Sequence, residues 1–363
     1  MGTSKRKRVL MVLPSLEGGG SERVISTLLR YIDRDRFHVG LALENACGPY
    51  KSDVPEDITV FDLGAKRTRN AILSLIKLIR RFDPDVVLST IGQVNLLLLG
   101  IRFLTGGKYR LLIRETNTPS VNLNTTYNPW MFRTLYRWLY PKADRIICSC
   151  EVMREDLEKH FAVPGVKIIV IPNPVDRDYV LAQASNREHG FEPGRINLVA
   201  AGRLVKQKGF DILIKAFSMV KDRYPDANLT ILGEGPEKES LKQLACAGKV
   251  DTSLRFAGFK RNPYAYLSEA DVFVLSSRWE GLPNAALEAL ACDTPVVAFA
   301  GAGGISEVIK DGFNGMIAAH EDAGDLAGKI CSMLNRKNNH SVNLLPEKFR
   351  VENVVKQYEN ILN

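Results

Sequence analysis

The sequence predicts an α/β protein of two domains, each built on a parallel sheet that is covered by helices. Short apolar runs alternate with helical patterns along most of the 363 residues, and such alternation is typical of parallel α/β layers. This length favours two domains of ordinary size. Two prolines around Asn173, within 170–176, predict a stiff connection. We therefore place the first domain at residues 1–172 and the second at 173–348.

The composition indicates a soluble globular protein, with 45% hydrophobic and 25% charged residues. The six cysteines show no C-x-x-C pair and no regular spacing, so we expect reduced thiols rather than disulfides or a zinc site. The apolar run 9–13 is too short for a signal peptide. Polar residues interrupt 86–104, which predicts a buried strand and helix rather than a membrane span.

The net charge of +8 is concentrated in the first half of the chain. Residues 1–170 hold 26 Lys and Arg against 17 Asp and Glu, whereas the remainder holds 23 against 24. The first half is therefore expected to meet an anionic surface or substrate, such as acidic lipid or a phosphate-bearing acceptor. No basic–aromatic repeat or finger spacing indicates nucleic acid as a partner.

A glycine-rich turn follows the first predicted strand, 8–13, and precedes a helix predicted near 21–32. Gly18, Gly19 and Gly20 would let the backbone approach a phosphate closely. The spacing is not G-x-G-x-x-G, so the dinucleotide fingerprint is not satisfied. The alternative is that these glycines form only a turn.

Two further features of the first half allow two interpretations each. Asp83 and Asp85 have the spacing of a D-x-D metal site, but Asp-Pro before a strand is ordinary turn chemistry, and we favour the turn. The stretch 127–142 is dense in aromatic residues and arginine. Trp130, Leu135 and Trp138 at helical spacing favour core packing with a solvated edge, and the alternative is an interfacial helix in a lipid headgroup layer.

In the second half, strands end in loops rich in glycine and charge. Arg203 and Lys208 lie in one short loop, 202–209, where two cations could balance a diphosphate; the alternative is a solvated basic loop. Gly233 and Gly235 follow the next strand, and Phe259 follows another. Loops at strand ends form the crevice in which α/β domains bind ligands.

The stretch 276–295 reads as strand, turn, helix and the start of a further strand. Pro283 suits a first helical position, and the N-terminus of a helix is a favourable binding site for phosphate. Glu280 lies in the turn and Glu288 within the helix. Their carboxylates could hold two sets of sugar hydroxyls, and the alternative is that both are solvent-exposed acids.

The pattern E-x7-E in SRWEGLPNAALEALA resembles the signature of retaining, nucleotide-sugar-dependent glycosyltransferases of family 4. The segments 19–23 (GGSER) and 202–209 (GRLVKQKG) also match that family. The resemblance covers nearly the whole chain and is firmest over 173–315. It implies the GT-B fold, with two Rossmann-like domains facing each other across a cleft and a helix at 349–363 crossing back to the first domain.

The resemblance also implies roles for individual residues. Arg203 and Lys208 would neutralise the leaving diphosphate, Glu280 would orient the donor sugar, and Glu288 would hold the ribose. Many family members carry a histidine near 114–117, where this chain has none, so Arg114 and Asn117 are the nearest acceptor-side candidates. No metal or other cofactor is implied. The donor site would comprise Gly19, Gly20, Arg203, Lys208, Gly233, Gly235, Phe259, Glu280, Leu282, Pro283, Asn284 and Glu288.

The function implied is retaining transfer of a hexose or N-acetylhexosamine from a nucleoside-diphosphate sugar, with UDP-sugar favoured. The acceptor would be a glycan hydroxyl, linked to a polyprenyl diphosphate, in cell-surface polysaccharide or lipopolysaccharide assembly. We expect a cytoplasmic enzyme, peripheral on the inner face of the membrane through contact with anionic lipid. The alternatives are a sugar-nucleotide epimerase or hydrolase of the same fold, and an inactive membrane-surface scaffold. A dehydrogenase is disfavoured because the dinucleotide fingerprint is missing.

Overall fold

The computed structural model describes residues 6–65, 67–185, 191, 194–336 and 343–363. The chain divides into two compact units. Unit 1 holds the chain up to Pro174 together with Val351–Asn363, and unit 2 holds Val175–Arg350. The boundaries predicted from the sequence, after 172 and after 348, each precede the observed ones by two residues.

Unit 1 is built on a parallel sheet of seven strands in the order β3-β2-β1-β4-β5-β6-β7. The order reverses between β1 and β4, so the loops after these two strands diverge. The inner strands are continuous apolar runs because helices cover both faces of such a sheet. The strands are β1 Lys7–Leu13, β2 Phe37–Leu43, β3 Thr59–Asp62, β4 Val86–Thr90, β5 Arg110–Arg114, β6 Arg145–Cys148 and β7 Ile168–Val170.

In the described part of unit 1, six α-helices connect these strands, and a seventh is contributed by residues near the end of the chain. The connecting helices are α1 Gly20–Tyr31, α2 Ile72–Phe82, α3 Gly92–Thr105, α4 Pro119–Asn122, α5 Pro129–Leu139 and α6 Glu151–Phe161. The last helix of the chain, Val351–Leu362, buries Val351, Val354 and Tyr358 in the core that α1 and β1 share. The predicted return of the C-terminal helix to the first domain is therefore confirmed.

Unit 2 is built on a parallel sheet of six strands in the order β10-β9-β8-β11-β12-β13. Here the order reverses between β8 and β11. The strands are β8 Ile196–Ala201, β9 Ala227–Leu232, β10 Leu254–Gly258, β11 Val272–Leu275, β12 Val296–Phe299 and β13 Gly315–Ala318. The helices are α7 Arg177–Ala184, α8 Phe210–Arg223, α9 Lys238–Ala247, α10 Tyr264–Ser268, α11 Asn284–Ala291 and α12 Ala323–Leu334, and the C-terminal helix is α13. With this α/β architecture in both units, the predicted fold class is confirmed.

Two local expectations need correction. Pro283 is the residue before α11 and not its first residue, because its ψ of 103° is extended rather than helical. Core packing of Trp130 and Trp138 is wrong, since both side chains are largely exposed. The two tryptophans are eight residues apart and share one face of α5, whereas Tyr136 and Leu139 occupy the buried face.

Two further sequence expectations concern disulfides and membrane spans. None of the six cysteines, all of which lie in the described ranges, forms a disulfide. Among the helices that the structure describes, none has both the length and the apolar character needed to cross a bilayer.

Candidate functional site

The candidate site of unit 2 lies at the carboxyl ends of β8 and β11, where the strand order reverses. In open α/β sheets, ligands bind in the crevice outside such a reversal. Lys208 lies in the loop after β8, and Glu280 lies in the loop after β11. Since β8 and β11 are neighbours in the sheet, the two loops meet although 72 residues separate their key side chains.

Lys208 and Glu280 form an ion pair, with Nζ 2.5 Å from Oε1. The hydroxyl of Ser277 donates to the same carboxylate oxygen at 2.7 Å, and the hydroxyl of Ser276 donates to the carbonyl oxygen of Lys208 at 2.8 Å. The two charged side chains are only 19% and 10% exposed. The interpretation of Glu280 as a solvated loop acid is therefore wrong, and its carboxylate is held in one orientation.

Arg278, which the sequence analysis did not single out, holds these loops together. Its guanidinium donates to both carboxylate oxygens of Asp211, at 2.9 and 2.8 Å, and its Nε donates to Glu321 at 3.0 Å. Burial alone would raise the pKa of Asp211, but the hydrogen bonds and charge of Arg278 lower it. Asp211 lies in the first turn of α8, and no local pattern links it to a residue 67 positions away.

Close backbone contacts between neighbouring strand-end loops explain two glycines of the site. Gly233, after β9, has φ 144°, and a Cβ there would lie 1.9 Å from the carbonyl oxygen of Gly202. Gly303, after β12, has φ 59°, and its Cβ would lie 2.0 Å from the carbonyl oxygen of Gly281. Glycine is the residue that permits both the left-handed conformation and this approach.

The two candidate cations of the first loop differ in environment. Arg203 is exposed, and its guanidinium forms no hydrogen bond or ion pair with any residue of the described ranges. The ammonium group of Lys208, by contrast, is already paired with Glu280. An incoming anion would therefore meet Arg203 first and would share Lys208 with Glu280.

The remaining candidates of unit 2 lie around α11. Glu288 is buried within this helix, so its interpretation as an exposed acid is wrong. Burial, and next the charge of Glu288, raise the pKa of Cys292. Pro283, the residue before α11, makes no side-chain capping hydrogen bond. The other predicted residues divide into buried Gly233, Leu282 and Pro283, half-buried Gly235 and Asn284, and exposed Phe259.

In unit 1, the predicted phosphate turn is placed at the start of α1. Gly19 precedes this helix and Gly20 is its first residue. The carboxylate of Glu22 lies over the turn, since a Cβ on Gly19 would be 2.3 Å from Oε2 of Glu22. A phosphate at this turn would have to displace that carboxylate, and the contact with Gly19 and Gly20 stays a prediction.

Arg114 has a structural role in unit 1, and the acceptor-side role expected for it stays a prediction. The side chain is 2% exposed. Its Nε donates to the hydroxyl of Tyr358 at 3.1 Å, and Nη2 donates to the side-chain oxygen of Asn173 at 2.5 Å. Arg114 therefore ties β5 to α13 and to the end of unit 1. Asn117 is half-buried and remains an acceptor-side prediction.

Glu115, beside Arg114, is a buried acid that sequence reasoning missed. Its Oε1 accepts hydrogen bonds from the hydroxyls of Tyr140 and Tyr136 and from the amide of Asn95 at 3.2 Å. Burial raises the pKa of Glu115 to about 7, although these three hydrogen bonds act in the opposite direction. The signal available in the sequence was an acid at a strand end, but its partners lie 20 to 25 residues away.

The D-x-D pair is used within unit 1 as part of a turn. Asp83 is the C-terminal cap of α2 with φ 47°, and Oδ2 of Asp85 accepts a hydrogen bond from the backbone N–H of Arg8 at 2.8 Å. In the part of the chain that the structure describes, no three His, Cys, Asp or Glu side chains are grouped so as to hold a metal ion.

Two family models match the chain in succession. The model "Glycosyltransferase Family 4" matches residues 18–179, and "Glycosyl transferases group 1" matches residues 182–345. Among relatives, a Campylobacter jejuni protein is 30% identical over 331 residues, which is 88% of each chain. That protein is named N-acetylgalactosamine-N,N'-diacetylbacillosaminyl-diphospho-undecaprenol 4-alpha-N-acetylgalactosaminyltransferase. An uncharacterized glycosyltransferase of Haemophilus influenzae is 24% identical over 352 residues, 95% of this chain and 96% of its own.

Solved structures with the same fold include two proteins of low sequence identity. Sucrose-phosphate synthase of Thermosynechococcus elongatus matches with a TM-score of 0.82 and 16% identity over 98% of each chain. Anabaena HepE in complex with UDP-glucose matches with a TM-score of 0.81 and 17% identity, over 98% of this chain and 99% of that chain.

Proposed function

The chain belongs to glycosyltransferase family 4, and from that premise we propose that it transfers a hexose or N-acetylhexosamine from a UDP-sugar to a lipid-linked glycan, with retention of anomeric configuration. The observation that carries the donor half is the Lys208–Glu280 pair at the strand reversal of unit 2. The acceptor half is supported by the Campylobacter jejuni relative, whose name specifies an undecaprenol-diphosphate acceptor.

The donor sugar is assigned to Glu280. Its carboxylate is fixed by Lys208 and by the hydroxyl of Ser277, so it meets sugar hydroxyls without a cost of reorientation. A carboxylate that is already held in position stabilises a bound sugar more in a site that excludes water than it would in solution. Glu288, buried in α11, is assigned to the ribose hydroxyls, and the N-terminus of that helix to a phosphate.

The departing diphosphate is assigned to Arg203 and Lys208. Negative charge grows on the leaving phosphate as the glycosidic bond breaks, and positioned cations stabilise that charge without transferring a proton. Removing one such electrostatic contact typically costs about 100–1000-fold in rate. Because these two side chains supply the positive charge, we propose that turnover needs no metal ion.

The first experiment identifies the donor. Thermal unfolding is followed with UDP-, GDP- and ADP-sugars, because a ligand that binds only the folded state raises the midpoint. We expect UDP-sugars to raise it, and turnover with a polyprenyl-diphosphate-linked glycan to continue in excess chelator. If none of the three kinds of nucleotide sugar raised the midpoint, the donor assignment would be contradicted. Full, reversible loss of turnover with chelator would contradict metal independence.

The same reaction separates the competing functions. NMR of the product reports the anomeric configuration, and an inverted product would refute retention. Release of free sugar and UDP without transfer would favour the hydrolase, and conversion of the donor sugar itself would favour the epimerase. Binding of the donor with no chemistry in the presence of acceptor would favour the inactive scaffold.

A further inference from the structure

We propose that one surface of unit 1 docks on an anionic lipid bilayer. This surface, named here the α3–α5 surface, is formed by Phe103 and Leu104 at the end of α3 and by Trp130 and Trp138 on α5. The proposal gives the lipid-linked acceptor of the proposed function a physical route to the enzyme, and it rests on that function for its purpose. Binding to lipid is nevertheless measured without any sugar transfer.

The segment of the chain that contains the α3–α5 surface is rich in exposed apolar side chains. Fifteen large hydrophobic residues of the described ranges are exposed, and seven of them fall between positions 103 and 138. Scattered single apolar residues are normal on a protein surface, whereas a contiguous group indicates an interaction site. The seven are Phe103, Leu104, Val121, Tyr127, Trp130, Met131 and Trp138.

The side chains at the centre of this surface leave a large part of their area in contact with water. Leu104 is 82% exposed, Trp130 is 76% exposed and Trp138 is 53% exposed. The rings of Phe103 and Trp138 pack edge to face with centroids 5.3 Å apart. The apolar group therefore bridges two packed helices and is not a single loop tip.

A cation lies directly on the aromatic pair. Nζ of Lys142 is 4.2 Å from the ring centroid of Phe103 and 4.4 Å from that of Trp138. Aromatic rings combined with lysine or arginine suit the interfacial layer of a bilayer, where rings lie at headgroup level and ammonium groups meet phosphates. This combination favours lipid over a purely apolar protein partner.

The charge around the α3–α5 surface is mostly positive. Residues 100–144 contain seven Lys and Arg and two acids, Glu115 and Asp144. Glu115 is buried with its hydrogen bonds directed inward, and Asp144 is paired with Arg102 of α3. Lys108, Arg137 and Lys142 are exposed there. Each lysine or arginine held near an anionic leaflet contributes about 1 kcal/mol, so the surface complements acidic headgroups.

Vesicle sedimentation tests the proposal on the full chain. We expect pelleting with phosphatidylglycerol-containing vesicles at low salt, little pelleting with phosphatidylcholine alone, and release as ionic strength rises. Trp130→Ala with Trp138→Ala should lower the partition coefficient at least about tenfold, given the apolar area removed. The matched control is Phe313→Ala, since Phe313 is an exposed ring of unit 2 and Nζ of Lys310 lies 5.6 Å from its ring centroid.

Tryptophan fluorescence locates the contact. The chain has three tryptophans, so a Trp279→Phe background leaves only the two of the α3–α5 surface as reporters. We expect vesicles with brominated acyl chains to quench this emission. Unchanged emission, equal pelleting with neutral and anionic vesicles, or unaltered binding of the double variant would each overturn the proposal. So would concentration-dependent self-association that the double variant abolishes, because the surface would then join two copies.

A failure of the docking proposal can be distinguished from a failure of the proposed function. If the double variant loses vesicle binding but turns over a short-chain, water-soluble acceptor normally, both proposals stand. If the native protein binds anionic vesicles through this surface but transfers no sugar, the docking inference stands and the proposed function fails. Circular dichroism and the thermal midpoint verify that the variants are folded, as expected for substitutions of exposed side chains.

Discussion

The ammonium group of Lys208 lies 2.5 Å from Oε1 of Glu280, and this contact joins two strand-end loops of unit 2. Neither charge is well hydrated, because both side chains are mostly buried. The site is therefore assembled before any ligand arrives, and each partner has both an energetic and a chemical role. Substitutions at the pair should report on stability and on catalysis separately.

Lys208→Ala and Glu280→Ala should each lower kcat by about 100–1000-fold. Each should also lower the free energy of unfolding by about 1–3 kcal/mol, because the remaining charge is left partly buried without its partner. The double variant should be less destabilised than the sum of the single variants. Lys206→Ala, an exposed lysine in the same loop, is the control for both steady-state kinetics and denaturant unfolding. Near-native turnover of either single variant would refute the donor-site assignment.

Glu288→Ala should act mainly on nucleotide binding. Because Glu288 is assigned to the ribose and not to the reacting sugar, its loss removes interactions that are equal in the ground state and transition state, so KM for the donor rises while kcat changes little. Calorimetric titration with UDP measures the affinity directly. Glu239→Ala, on α9 and paired with Lys242 at 2.8 Å, is the control. An unchanged affinity for UDP in Glu288→Ala would show that the ribose lies elsewhere.

Glu115→Gln should make stability less dependent on pH. Burial raises the pKa of Glu115 to about 7 in the folded chain from a reference value of 4.5. The folded state therefore keeps a proton that the unfolded state releases, and the stability due to this group is present below about pH 4.5 and is lost as pH rises to about 7. At roughly 1.4 kcal/mol per pKa unit, the loss is at most about 3–4 kcal/mol.

Denaturant unfolding between pH 4.5 and 8 measures this effect. The native protein should lose stability more steeply over that range than Glu115→Gln does. Tyr140→Phe removes a hydrogen bond that lowers the pKa of Glu115, so the loss should move to higher pH in that variant. Parallel curves for the native protein and Glu115→Gln would show that the carboxyl group does not titrate in this range.

Gly233→Ala and Gly303→Ala should destabilise unit 2 by several kcal/mol. Each added methyl group would meet a backbone carbonyl oxygen at about 2 Å, on a residue with positive φ. Gly100→Ala is the matched control, because a Cβ at this position of α3 has no atom within 4 Å. Alanine there should stabilise the helix by about 0.5–1 kcal/mol. Equal thermal midpoints for all three variants would contradict the packing described here.

The parts of the site that the sequence predicts are those carried by local patterns. Apolar runs and turn residues predict the order of strand, loop and helix around 276–295, and they also predict the glycine loops. These predictions place Lys208 and Glu280 in loops and Glu288 in a helix. The Arg278–Asp211 clamp and the Glu115–Tyr140 hydrogen bond join residues far apart in sequence, and no periodic pattern encodes such pairs. The sequence also favoured the wrong face of α5 as the buried one, because tryptophan is common in protein cores. Which face is buried depends on how the other residues of the helix pack, and the tryptophans alone do not show this.

The path of the chain through unit 1 bears on how the protein is made. Unit 2 is one continuous segment, whereas unit 1 is closed by α13, which follows all of unit 2 in the chain. Val351, Val354 and Tyr358 of this helix pack into the apolar cluster of unit 1. During translation, the rest of that cluster is made first, and it lacks this helix while all of unit 2 is being produced. Domains tend to fold as they leave the ribosome, so unit 2 is expected to become protease-resistant before unit 1. A nascent chain arrested before residue 351 would keep an open apolar surface and depend on chaperones.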